Sequence, residues 1–265
     1  MTQTALIAGT GALPALLAAA RPDMLICELE GFPSTVPGAE PLRFRVERLV
    51  PFLNTLKAQG IREVCFAGAI QRPKIEPTKF DLRTLSLVPR IMAAIQGGDD
   101  ATLRAVIDLF EDRGMVVLGA DRIAPDLVAG AGVLTGTVSD QDRKDAARAR
   151  DIVAAIGAVD VGQGAVVARG LCLALEALPG TDAMLQFVTQ TRKPDHRGGV
   201  VFKAPKPGQD LRIDMPAIGP QTVARAAEAR LSCIAWSAGG VLLLDRAATI
   251  AAAQAAGIAL WGIGG

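Results

Sequence analysis

The 265-residue chain predicts an α/β fold in two parts: a parallel-sheet domain over residues 1–130 and a mixed α+β domain over residues 140–265. Three observations carry this reading. Short β-type runs alternate with helical stretches through the first half, the pattern of βαβ units feeding a parallel sheet. Around residues 127–140 the pattern dissolves into Gly, Thr and other small residues, a composition that suits a linker, placed at 131–139. Beyond it the apolar runs become hairpin-like and carry most of the polar motifs. Half of the residues are hydrophobic, so a sizeable core is available to each part.

In order along the chain, TALIAG is the first strand, ALPALLAAA the first helix and MLICELE the second strand. VERLVPFLNTLKAQG reads as a helix leading into the strand REVCFAG. After the loop AIQRPKIEPTKF, a helix is expected from about residue 81 to 95. GGDDATLRAVIDLFEDRG then offers a GGD turn and cap, a helix with Leu103, Val106, Ile107 and Phe110 on its apolar face, and a glycine stop. MVVLGAD is the next strand. In the second part DQDRKDAARARDIVAAIG is a charged helix and GAVVARG with LCLALEA a hairpin. GGVVFKA and LRID are further strands, TVARAAEAR a helix, and LSCIAWS and GVLLLD strands. Residues 247–265 carry no charge and would be long enough to span a bilayer, but Gln254, Gly257 and the Gly-rich end favour an Ala-rich helix followed by a short strand.

Composition excludes several classes of function. With 28 Lys+Arg against 27 Asp+Glu there is no basic footprint for a nucleic-acid backbone. Tyrosine is absent and aromatics are scarce, which leaves little for stacking on bases or sugars. Cys27, Cys65, Cys172 and Cys233 are far apart in apolar surroundings and read as buried thiols of a reducing compartment. The N-terminus MTQTALIAGTG has neither the basic start nor the apolar run of a secretory signal, so a cytosolic protein is expected.

Several motifs could carry chemistry. GTGALP, residues 9–14, opens a helix after a strand, with Glu28 and Glu30 about twenty residues on. This leaves a nicotinamide-dinucleotide site and a plain strand-to-helix turn both open. AGAIQRP, residues 67–73, ends a parallel strand, where Arg72 is either an anion ligand or an exposed loop residue. GGDD, residues 97–100, is most simply a helix cap. The single histidine, His196, sits in RKPDHRGG as a surface loop residue, which leaves almost no material for a histidine metal cluster or a Ser-His-Asp triad. A metal here would need oxygen ligands such as Asp182, Asp210 and Asp214, which favour Mg²⁺ or Mn²⁺. Lys203, Lys206 and Arg212 lie within a few residues of the last two acids, and Pro205, Pro207, Pro216 and Pro220 stiffen that segment. Ordinary surface ion pairs are the alternative.

Taken in order, GTGALP, FAGAIQRP, GGDDATLRAV, DVGQGAVV, EALPGTDAML, KPGQD and RIDMPAIGPQT resemble the signatures of the UDP-2,3-diacylglucosamine pyrophosphatases of the LpxI type, over essentially the whole chain. Pro179 stands where that family often has a glutamate, with Glu176 nearby. The resemblance implies a Rossmann-like N-terminal domain, a distinct C-terminal one, and a lipid product held between them. It implies an Mg²⁺-dependent hydrolase, with Mn²⁺ as a substitute, that cleaves UDP-2,3-diacylglucosamine to UMP and lipid X by directing water at the phosphorus nearer the sugar. Asp214 falls on the aspartate tied to catalysis and is expected to ligate the metal or activate the water, with Asp210 and Asp182 as further ligands. Gly11, Leu13, Gln71, Arg72, Gln163, Thr181, Lys203, Lys206 and Arg212 are the expected substrate contacts. Peripheral contact with the cytoplasmic face of the inner membrane is implied, and homodimer formation is left open. A nicotinamide-dependent oxidoreductase and a non-catalytic nucleotide-sugar or lipid carrier are the competing readings.

Overall fold

The computed structural model describes residues 3–70, 74–96 and 99–264. Two compact units make up the chain, Met1–Pro125 and Asp126–Gly265.

The first unit runs β1 (Thr4–Ala8), α1 (Leu13–Ala20), β2 (Leu25–Leu29), β3 (Leu42–Phe44), α2 (Leu49–Ala58), β4 (Glu63–Ala67), α3 (Leu82–Leu85), α4 (Val88–Gln96), α5 (Asp99–Glu111), β5 (Val116–Leu118) and α6 (Ala120–Ile123). Its sheet is parallel throughout, in the order β3-β2-β1-β4-β5. Central β1 is buried at every position, as a strand covered on both faces must be. Leu6, Leu17, Leu53, Leu56, Ile107 and Leu109 form the centre of its core. This is the expected Rossmann-like unit. Strand order reverses between β1 and β4, so the loops after these strands meet at the switch point where such sheets place ligands.

The single helix expected over 81–95 is broken into α3 and α4. Pro89 accounts for the break, because it has no N–H and its ring would collide with the carbonyl of Leu85 in a continuous helix. Asp81 caps the first piece, accepting hydrogen bonds from the N–H groups of Arg83 (3.0 Å) and Thr84 (3.1 Å).

The second unit runs β6 (Gly132–Thr135), α7 (Asp140–Gly157), β7 (Gly164–Ala168), β8 (Leu171–Leu175), α8 (Gly180–Thr191), β9 (Val200–Lys203), β10 (Ala217–Ile218), α9 (Pro220–Glu228), β11 (Cys233–Ser237), β12 (Leu242–Leu243), α10 (Arg246–Ala256) and β13 (Ala259–Ile263). Six strands form a mixed sheet in the order β6-β13-β11-β9-β7-β8. β9, β11 and β13 are parallel, while β6, β7 and β8 are joined through antiparallel pairs. β10 and β12 make a separate two-stranded ladder. The stretch 131–139, read as a linker from its small residues, thus holds β6, paired with β13. Its Gly136 lies at φ +75, where an added Cβ would stand 2.7 Å from the Ala259 Cα. Small residues here serve close strand approach as well as flexibility.

Side-chain alternation along this sheet fills two cores. Val166, Val201, Ile234, Trp236 and Leu260 pack with Met184, Leu185 and Val188 of α8 and with α9 and α10. Ala165, Val167, Val200, Phe202 and Cys233 pack on the other side with Ala146, Ala149 and Val153 of α7. α7 begins in a reciprocal cap: the Ser139 hydroxyl accepts from the Asp142 N–H (3.1 Å) and the Asp142 carboxylate accepts from the Ser139 N–H (3.0 Å). The same period of two puts Lys203, at the end of β9, on the side of Val201 and therefore of α8.

Two local expectations are corrected. LRID is a turn, because the Asp210 carboxylate accepts the Arg212 N–H (3.0 Å) and the Asp210 carbonyl accepts the N–H of Ile213 (3.3 Å), which closes the chain before any ladder can form. Cys172 is exposed whereas the other three cysteines are buried, since β8 is the edge strand of its sheet. Among the described residues, no helix is long and apolar enough to cross a membrane.

Candidate active site

The centre of the site is a lysine that the sheet forces indoors. Lys203 leaves only 5% of its surface exposed. Its ammonium donates to the Thr181 hydroxyl (2.6 Å) and the Ala217 carbonyl (3.4 Å) and stands 3.8 Å from Glu176 Oε1. Thr181 in turn donates to that same Glu176 oxygen (2.9 Å), so the hydroxyl bridges base and acid. Burial pushes the Lys203 ammonium below the ordinary lysine range, against the opposing pull of Glu176, Asp214 and Asp182. Glu176 thus stands within reach of this buried cation, and the charges of Asp214 and Asp182 act on it as well.

Local sequence explains how the groups fit. Glu176 follows β8, and its carboxylate is nearly dry. A Cβ on Gly164 would fall 2.4 Å from Glu176 Oε2, and one on Gly162 only 2.0 Å from its backbone oxygen. The two glycines of DVGQG are what allow this loop to lie against Glu176. Gln163, between them, fastens its carbonyl to the Ala204 N–H (3.1 Å) just past Lys203. Gln163 Oε1 and Glu176 Oε2 are buried acceptors for which the described residues supply no donor, the kind of atom that a bound donor or cation would satisfy.

The proline-rich segment 204–219 forms a second wall. The Lys206 N–H donates to Gln209 Oε1 (2.8 Å), and the Gln209 amide donates to Asp214 Oδ2 (2.5 Å). Gln209 thereby fixes Asp214 relative to the backbone of the same loop. The Lys206 ammonium reaches back to Asp160 of the DVGQ motif. Arg212 folds onto Asp210, its Nε 2.9 and 3.1 Å from the two oxygens and its Nη2 2.6 Å from one. The expected trio Asp182, Asp210 and Asp214 is not assembled as a cage: among the described residues no group of three His, Cys, Asp or Glu is placed to hold a metal. Asp210 pairs with Arg212 instead, while the charges of Asp182 and Asp214 act on Lys203.

In the first unit, GTGALP meets the loop after β4. The N–H of Thr10 donates to the Ala69 carbonyl (3.0 Å) and that of Ala69 to the Thr10 carbonyl (2.9 Å). A Cβ on Gly9 would fall 2.5 Å from the Ala69 oxygen. Gly11, at φ +104, and Leu13 flank this contact. Gln71 and Arg72 lie outside the described residues. The acid that a dinucleotide ribose would need is engaged elsewhere: Glu28 accepts from Arg43 Nε (2.7 Å) and the Ser34 N–H (3.0 Å). With Glu28 and the Thr10 N–H both committed to protein partners, the nicotinamide reading loses its two supports.

Sequence reasoning noted Glu176 near Pro179 but gave it no role in the site. It stood in no charged cluster, and its signal was indirect: an acid at a strand end facing two glycines spaced one residue apart.

Such a fold, with a parallel-sheet unit followed by a mixed-sheet unit that buries a Lys203–Glu176 pair beside a proline-stiffened loop, defines a two-unit α/β protein with a polar site in its second unit. The models of the LpxI N-terminal domain and the LpxI C-terminal domain match residues 3–127 and 130–261. The chain is 40% identical over 278 residues to the UDP-2,3-diacylglucosamine pyrophosphatase LpxI of Caulobacter vibrioides, covering 99% of this chain and 98% of that protein. The chain belongs to the LpxI family.

Proposed function

We propose that this protein hydrolyses the pyrophosphate bond of UDP-2,3-diacylglucosamine to UMP and 2,3-diacylglucosamine 1-phosphate, lipid X, in lipid A biosynthesis. The observation that carries the reading is the buried Lys203–Thr181–Glu176 cluster in a chain of the LpxI family. Asp214, steadied by Gln209, orients the attacking water and takes its proton. Water oxygen bonds to the phosphorus nearer the sugar as the bond from that phosphorus to the bridging oxygen breaks, and UMP leaves. Lys203 meets the charge that develops on the phosphoryl oxygens, where a desolvated cation acts far more strongly than in water. Lys206 and Arg212 are placed on the same loop to grip the remaining phosphate charge.

A Mg²⁺ ion suits this donor set. It commonly takes one or two carboxylates together with substrate phosphates rather than a closed protein cage, and Asp214 with Asp182 supplies two hard oxygen donors on the lysine side of the loop. Bound there, it would neutralise the diphosphate. Val159, Val161, Leu175 and Leu178 are exposed beside the DVGQ and GTD motifs and offer apolar contact for acyl chains. The acyl chains set the reaction at the cytoplasmic face of the inner membrane.

Incubation with UDP-2,3-diacylglucosamine and Mg²⁺ should release UMP, and EDTA or Asp214→Ala should stop it. No UMP from the wild-type protein, or full activity of the Asp214→Ala variant, would overturn the reading. Labelled-water incorporation into lipid X rather than UMP checks which phosphorus is attacked.

A further inference from the structure

A groove of about 400 Å³ lies between the β7–β8 hairpin and the C-terminal half of α8. Its lining is apolar at Leu173 and the buried Val188, and cationic at Arg169, Arg192, Lys193 and His196, with the exposed Leu171 at its edge. The rim is held rigidly. The fully buried Asp145 carboxylate accepts the N–H groups of Arg169 (2.9 Å) and Gly170 (2.7 Å), which pins the hairpin tip. Arg192 donates to the carbonyls of Gly198 (2.6 Å), Ala229 (2.9 Å) and Arg230 (3.2 Å), and Arg230 donates to that of Pro194 (2.9 Å). Both arginines thus tie backbone segments together without meeting a carboxylate.

The charge on this rim is uncompensated. Among the described residues, Arg169, Lys193 and Arg197 form no ion pair, and the nearby exposed acid, Asp195, forms none either. The Arg192 guanidinium is pushed below its ordinary value by burial and then by repulsion from Arg169 and Arg230. Large apolar side chains project beside these cations. Leu171 is 69% exposed and Phe187 52% exposed. Phe187 lies one turn before Thr191 of the groove wall, on the same helix face.

We propose that this groove and its rim form the face by which the protein docks on an anionic phospholipid bilayer, the cations holding headgroup phosphates while Phe187 and Leu171 enter the interfacial layer. A soluble anion fits less well, since the lining presents leucine and valine where a small phosphate would need converging donors. Exposed aromatic and leucine side chains framed by cations are the combination that interfacial binding rewards. The assignment rests on the reaction proposed above only for its membrane setting, and its test involves no turnover.

The test is co-sedimentation of the full-length protein with vesicles of phosphatidylcholine alone or of phosphatidylcholine mixed with phosphatidylglycerol. Selective binding to the anionic vesicles is expected. The double variant Arg169→Gln/Lys193→Ala should weaken it by roughly twenty-five-fold, at about fivefold per cation, and Phe187→Ala should weaken it independently. Both variants should keep wild-type hydrolysis of detergent-dispersed substrate. Equal binding to both vesicle types, no binding to either, or wild-type partitioning of the double variant would overturn the proposal. So would unchanged partitioning of Phe187→Ala together with displacement by inorganic phosphate, which would mark a soluble-anion site.

Discussion

The buried pair Lys203–Glu176 allows a quantitative test. Glu176→Gln keeps the shape of the side chain and an oxygen for Thr181 but removes the charge 3.8 Å from the Lys203 ammonium. Breaking a buried ion pair from one side costs about 3–5 kcal/mol, because the remaining charge stays desolvated. Asp182 and Asp214 still act on Lys203, so the cost should fall near the lower bound, ~3 kcal/mol. For a unit of this size that lowers the melting temperature by roughly 10 °C. Lys203→Met in the Glu176→Gln background should restore much of the loss, giving a coupling of about 2 kcal/mol in a double-mutant cycle. The assay is convenient, since both tryptophans, Trp236 and Trp261, lie in the second unit. Tryptophan fluorescence during urea unfolding therefore reports that unit alone. If the two substitutions proved additive within about 0.5 kcal/mol, the pair would not be coupled and the role given to Lys203 and Glu176 would fall. Hydrolysis should be lost in the double variant even where stability returns.

Three further outcomes follow from the geometry. Gly164→Ala puts a Cβ where Glu176 Oε2 now lies, so UMP release should fall at least tenfold while overpacking costs only about 1–3 kcal/mol; steady-state kinetics beside urea unfolding separates the two. Iodoacetamide on the native protein should modify Cys172 and spare Cys27, Cys65 and Cys233, whose thiols burial pushes up to about 12; mass spectrometry counts the adducts, and labelling of all four would contradict the burial. The Ser34 N–H, and then Arg43 against the cost of burial, hold Glu28 below the ordinary carboxylate range. Its contribution to stability is complete above the unfolded carboxylate pKa and is lost as pH falls through the lower folded value. Arg43→Ala should therefore let β2 and β3 lose hydrogen-exchange protection at a higher pH than in the wild type.

The alternation of strand and helix was readable because burial on both faces writes unbroken apolar runs such as TALIA, and α7 announced itself through its charged first turns and its length. What escaped depended on contacts distant in sequence. LRID has strand-like residues, yet the Asp210 side chain captures the chain locally. Cys172 sits in an apolar run, but only the sheet order makes β8 an edge. The acids of the second unit were visible beside their prolines, whereas their partners were not: pairing Asp210 with Arg212 and Asp214 with Gln209 is decided by side-chain directions that spacing does not encode.

The rigidity of segment 204–219 also acquires a physical purpose. Added Cβ atoms at Gly157 and Gly240 would stand 2.9 Å from Pro207 and Pro205 respectively, so the prolines are packed against glycines of α7 and of the turn before β12. Prolines restrict the free chain as well as the folded one, which lowers the entropy lost in ordering the loop. Gln209 then holds Asp214 to the same framework. A diphosphate substrate carries its own charge and draws any mobile cation toward itself. In the proposed reaction a carboxylate that directs water at one phosphorus would gain from being fixed before the substrate arrives, and the Gln209 contact would supply that fixing for Asp214.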